Sequence, residues 1–188
     1  MNSDPAAMQD NQSPESMKEE GLDLFRRGAR DQALAAFAKA AEGYSLEGDA
    51  AGEAEMRNNM GVIYRLNRDW PAALNALNDA AVGFREAGDD KRRAQVMGNT
   101  GDLCASMRNY DDAAGYYSEA SELLASAGEG DMQGQLLRAF SLMRMRQRRW
   151  IEAIDLMALS INVRNHPSFA QRLIHVLLQF ARKLLGTR

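Results

Sequence analysis

Gly21, Gly61 and Gly101 stand forty residues apart, and their neighbours keep the same register. Twelve residues after each glycine comes alanine (Ala33, Ala73, Ala113). Sixteen after comes a bulky apolar residue (Phe37, Leu77, Tyr117), and nineteen after comes alanine again (Ala40, Ala80, Ala120). A chain that repeats at this length folds as stacked units, each burying its apolar face on the next, rather than around one closed core. Arrays of this kind work mainly by offering a long surface to another molecule.

Two helices can be read in each unit. The first carries small or apolar residues at i and i+3 (Gly21/Leu24, Gly61/Tyr64, Gly101/Cys104), and the second at i, i+4 and i+7 (Ala33/Phe37/Ala40 and its two register-mates). Those spacings put each set on one helical face. Small residues on that face let the paired helices approach closely, with the bulky residue filling the gap beside them. Turn residues fall where this scheme needs them. Asp69 and Asn109 stand at N-cap positions and Pro71 in a first helical turn. Between units, Gly48-Asp49, Gly88-Asp89 and Gly128-Glu129 let glycine end one helix in a left-handed conformation while an acid begins the next.

A fourth unit is degenerate: Trp150, Ala153, Met157 and Ser160 answer Trp70, Ala73, Leu77 and Ala80, but Ser141 replaces the glycine and Arg144 the apolar residue after it. Terminal units of an array are often atypical. A last helix is expected from about Ser168 to Leu185, its stripe of Phe169, Leu173, Val176, Leu177, Phe180 and Leu184 widened by Ile174, Leu178, Ala181 and Leu185. One apolar face suffices for a cap, so this helix has apolar surface to spare. Either the fourth repeat wraps it deeply or part of it buries against a second subunit or partner.

The expected organisation is a disordered lead-in over residues 1–14, an array over 15–166 in units 15–49, 50–89, 90–129 and 130–166, and a capping helix over 167–188. The lead-in is polar and acidic, with neither the basic start nor the apolar stretch of a secretory signal. No window approaches the roughly 18 apolar residues of a spanning helix, so no membrane partner is expected. A single cysteine, Cys104, excludes an internal disulfide and a cysteine zinc site, and its place in the register marks a packed thiol. A cytoplasmic setting follows. Net charge is only −3, yet residues 1–130 hold 23 acidic and 13 basic side chains while residues 131–188 hold 3 acidic and 10 basic. The small total conceals a dipolar molecule.

The pattern resembles the tetratricopeptide repeat family, whose helix-turn-helix units carry a leucine-glycine pair, a tyrosine three on, then alanine, a bulky residue and alanine. Met60-Gly61-Val62-Ile63-Tyr64 with Ala73, Leu77 and Ala80 is the best match. The forty-residue spacing is similar to the longer-helix class found in kinesin light chains. Glu20 stands before the first glycine, so the first helix of repeat one is expected to be frayed or solvent-facing. The resemblance implies an all-α, right-handed solenoid of three clear repeats and one degenerate repeat, whose first helices line a concave groove. It also implies a non-catalytic scaffold binding a partner peptide or helix there. The alternative is a self-associating or regulatory subunit, with a homodimer formed through residues 168–185.

In the longer-helix class, asparagines two residues before the repeat glycine clamp the backbone of an extended peptide, and Asn59 and Asn99 hold that place. An amide offers both donor and acceptor, so it can pair with any peptide unit. The structural alternative is that they bond neighbouring helices. Asn58, Leu22, Val62, Arg65, Asp102, Arg138, Leu142 and Met145 complete the expected groove wall, partly apolar and suited to a peptide with alternating anchors. The related clamp for a C-terminal carboxylate is matched only at Lys18 and Asn59. Arg144, Arg146, Arg148 and Arg149 invite a nucleic-acid reading. Without a spread basic surface or aromatic platforms, it yields to a solvated face or a dock for an acidic partner, which could be the acidic end of another copy. His166 and His175 have no nucleophile or carboxylate partner fixed by spacing, and Gly128, Gly130 and Gly134 follow a helix rather than a strand. No catalytic residue, metal site or cofactor is expected.

Overall fold

The computed structural model describes residues 13–164 and 166–186. Among them are nine helices and no strand: α1 (Pro14–Arg26), α2 (Arg30–Glu47), α3 (Ala50–Leu66), α4 (Trp70–Glu86), α5 (Asp90–Ser106), α6 (Tyr110–Ser126), α7 (Gly130–Arg146), α8 (Trp150–Asn162) and α9 (Phe169–Gly186). The five helices from α3 to α7 are each 17 residues long. No helix among the described residues is long and apolar enough to cross a membrane. Residues 1–12 of the expected lead-in lie outside the described residues. Pro14, placed at its end, instead opens α1, with the Ser13 hydroxyl accepting from the Ser16 amide at 3.2 Å.

The helices gather into two compact units, one ending at Ala87 and one beginning at Gly88. In the first, α1 packs on α2, α2 on α3 and α3 on α4. In the second, α5 to α9 pack each on the next. The register glycines explain the pairing. A methyl group at Gly21 would sit 2.6 Å from Phe37 Cε1, one at Gly61 2.7 Å from Leu77 Cγ, and one at Gly101 3.1 Å from Tyr117 Cε1. Each bulky residue thus lies over the bare backbone sixteen positions earlier, and all three are nearly or wholly buried. In the fourth pair Ser141 replaces glycine and is itself fully buried. Its hydroxyl donates to the Ala153 carbonyl at 2.7 Å, so the added oxygen is satisfied rather than stranded. Gly21 on Phe37 also shows that α1 is neither frayed nor turned to solvent. The exposed Glu20 beside it does not weaken the contact, because adjacent residues on a helix face different ways.

Turns repeat as regularly as helices. Gly48, Gly88 and Gly128 take φ of 74°, 68° and 71° between repeats. Asp49 and Asp89 then cap α3 and α5, accepting from Gly52 and Arg92 amides at 2.9 and 2.8 Å. Glu129, one carbon longer, makes no cap bond and pairs with Lys91 instead. Asp69 caps α4 through the Ala72 amide, whereas Asn109 holds its position without a side-chain cap bond.

Within repeats the left-handed place belongs to Gly28, Arg68, Arg108 and Arg148. The amide of the residue after each reaches back five positions, as Asp69 N to Tyr64 O and Asn109 N to Cys104 O, both at 2.9 Å. Side chains with a Cβ rarely adopt this conformation, at a cost of about 1 kcal/mol or more. Arg108→Gly is therefore expected to stabilise the protein by about 0.5–1 kcal/mol. Lys39→Gly, inside α2, should destabilise it by about 1 kcal/mol. Urea melts of the two variants check the signs, and a loss of stability in both would refute the turn geometry.

The last helix departs from the first of its two expected arrangements. α9 rests on α8 by one edge, where His175 Nδ1 lies 3.2 Å from the Ala158 carbonyl oxygen and Arg182 pairs with Asp155 at 2.7 Å. Phe169, Leu173, Val176, Leu177, Phe180 and Leu184 all stay more than half exposed. Deep wrapping fails because α9 turns only a narrow mixed arc inward, with Gln171, His175, Leu178 and Ala181 half-buried, and leaves the wider apolar stripe outward.

Candidate functional site

The first helix of each pair carries the expected groove residues. In the second unit these helices are α5 and α7, and a cavity of about 300 Å³ opens between them. Gln95, Asn99 and Asp102 line it from α5, and Gln135, Leu136 and Ala139 from α7. Gln95 and Asn99 are i and i+4, hence neighbours on one face. Gly98 matters here by what it lacks, since a methyl there would come within 2.7 Å of Leu136 Cδ1. The Tyr117 hydroxyl donates to Asp102 Oδ1, so this carboxylate is held from behind by the repeat's own bulky residue. Polar amides thus surround an apolar floor of Leu136 and Ala139, an arrangement that can bond a peptide backbone while accepting a side chain.

The same register positions in the first unit are occupied differently. Glu15 and Glu55 stand where Gln95 and Gln135 stand, and Lys18 stands where Gly98 stands. Lys18 Nζ bridges Glu55 at 3.1 Å and Glu15 at 3.5 Å, while the Tyr44 hydroxyl donates to Glu15 at 2.6 Å. That Tyr44 bond, with Lys18 next, holds the Glu15 carboxyl below its usual range. An internal ion-pair network fills the place that is open in the second unit. It also occupies Lys18, one of the two matches to a carboxylate clamp.

The remaining groove residues divide. Asn59, Val62 and Arg65 are half-buried along α3, and Leu22 packs against the core of the first unit. Asn58 is only 7% exposed and is corrected to a packed residue, because it shares its face with the buried Ala54 and Gly61. Arg138, Leu142 and Met145 are exposed on one stripe of α7 but do not line the cavity. Gln135 was missed by sequence reasoning, although it stands forty residues after Gln95 and could have been found from that alone.

The arginine cluster is not a continuous basic face. Arg144 is 8% exposed, lies 5.1 Å over the Phe140 ring and pairs with Glu152 at 3.2 Å. Burial, then the nearby Arg149, lowers its pKa. Arg149 shares the same Glu152 at 2.5 Å. Only Arg146 and Arg148 project without such a role, which is too little for phosphate tracking. Cys104 is packed with Ala113, Tyr117 and Phe140, and burial pushes its thiol up. No three His, Cys, Asp or Glu side chains among the described residues are gathered closely enough to hold a metal ion.

Helix pairs repeating at fixed length, with glycine under a bulky residue in the first three pairs and a buried serine in the fourth, define an α-solenoid of helix-turn-helix repeats. Residues 54–126 match the model of the tetratricopeptide repeat family. Arrays of this family are protein–protein interaction scaffolds and are generally non-catalytic. Among solved structures, BtubC (BKLC) from P. vanneervenii is similar in fold at 18% identity and a TM-score of 0.70, with 87% of this chain and 71% of that one covered. No curated protein matches the chain.

Proposed function

We propose that the protein is a non-catalytic scaffold that holds an extended peptide segment or helix of a partner, and that the α5–α7 cavity is where the partner's backbone is gripped. The observation that carries this is the cavity lined by the amides of Gln95, Asn99 and Gln135 together with Leu136 and Ala139, in a register position that the first unit fills with its own ion pairs. Amides serve any peptide sequence, and the floor selects the side chain that enters. Within the first unit taken by itself, Asn59 with Val62 and Arg65 offers a separate peptide contact on α3. The reading needs no metal or cofactor, and one packed thiol suits the reducing cytoplasm.

The test is selection from a displayed random-peptide library, followed by titration of the selected peptide. Gln95→Ala with Asn99→Ala should weaken binding about thirtyfold, since each neutral hydrogen bond contributes about 1 kcal/mol. Their exposed or half-exposed positions should keep the stability change within about 0.5 kcal/mol. Failure to select any peptide, or an equal fall in stability and affinity, would assign these amides to the scaffold.

A further inference from the structure

The exposed stripe of α9 has one flank whose chemistry says what would cover it. Phe169, Leu173, Val176, Phe180 and Leu184 recur at spacings of four, three, four and four, so they line one side of an 18-residue helix. By helical position, Arg172 and Lys183 border that stripe beside Val176, and both are exposed. No aspartate or glutamate occurs after Asp155, and the balance of residues 131–188 is +7 from 10 basic and 3 acidic side chains. The opposite edge of α9 is occupied by α8 through His175 and Arg182.

A second copy of α9 is a poor cover. Two such helices would bring Arg172 and Lys183 toward their like, with no acid on either helix to compensate. The acidic end of another copy offers charge but no receiving surface. The exposed large apolar side chains of the first unit (Leu46, Leu66, Leu74 and Val82) are scattered over three helices. An apolar face of Phe and Leu bordered by Lys and Arg fits the boundary between headgroups and acyl chains of an anionic bilayer. The absence of a spanning segment does not oppose this, since a helix lying in the interface needs no such length.

We propose that α9 docks the protein peripherally on a lipid surface carrying anionic headgroups, with Phe169, Leu173, Val176, Leu177 and Phe180 inserted and Arg172 and Lys183 among the phosphates. The site is separate from the α5–α7 cavity, so peptide binding there stands or falls on its own.

The test is flotation of the full chain with phosphatidylcholine vesicles, with and without phosphatidylserine, beside sedimentation of the chain alone. Co-flotation that requires phosphatidylserine and weakens with salt is expected. Arg172→Gln with Lys183→Gln should lower binding roughly thirtyfold. Phe180→Glu should abolish it while leaving the melting curve unchanged, because the side chain is exposed. No flotation with either vesicle overturns the proposal. So does equal flotation with both, and so does a dimer that Phe180→Glu dissolves without any lipid binding in the parent.

Discussion

Leu77→Ala is expected to cost about 3 kcal/mol and Gly61→Ala about 2 kcal/mol, yet the two together should cost clearly less than their sum. Leu77 is fully buried, and truncating a buried leucine loses its transfer energy and leaves a cavity. Gly61→Ala gains helix propensity of about 1 kcal/mol, but its methyl would stand 2.7 Å from Leu77 Cγ and force the paired helix away. With Leu77 shortened, that methyl enters vacated space. A double-mutant cycle in urea should give a coupling of about 1–2 kcal/mol. Additivity within about 0.5 kcal/mol would mean that α3 and α4 are not registered by this contact.

Replacing Arg144 by leucine should raise stability by about 1–2 kcal/mol although it removes an ion pair. The guanidinium is largely desolvated, and its ion-pair partner, Glu152, is partly exposed and shared with Arg149. Buried pairs of this kind are often no better than an apolar residue of similar size. The other repeats place Leu24, Tyr64 and Cys104 at this position. Glu152→Ala should have the opposite sign, since it leaves the buried charge with less compensation. Thermal melts of both variants decide the matter, and a destabilised Arg144→Leu would show that the pair is favourable in place.

The fold was legible because its cause is local and periodic. Glycine at one position and a bulky residue sixteen later encode the contact of each helix pair, and both are visible in a single sequence. The turns were legible for the same reason at Gly48, Gly88 and Gly128. Arg68, Arg108 and Arg148 were not, because nothing in an arginine announces a positive φ. The candidate site was half legible. Asn99 and Asp102 meet at one cavity, but whether a register position is open depends on tertiary partners. Lys18 closes it in one unit and Gly98 opens it in another, a difference made by the residues across from them. Arg144 stands at the register place of Leu24, Tyr64 and Cys104 and is buried there, which its residue type does not announce. Which arc of α9 meets α8 depends on tertiary packing at Gln171, His175, Leu178 and Ala181, which no periodicity contains.

Equal helix length has a consequence for how such a chain can change. One residue inserted within α5 would rotate everything beyond it by about 100° and carry Asn99 away from Leu136. Substitutions on the outer surface disturb nothing of the kind. Within α3 to α7 substitution therefore leaves the register intact, whereas an insertion or deletion inside a helix breaks it and only the gain or loss of a whole forty-residue module preserves it.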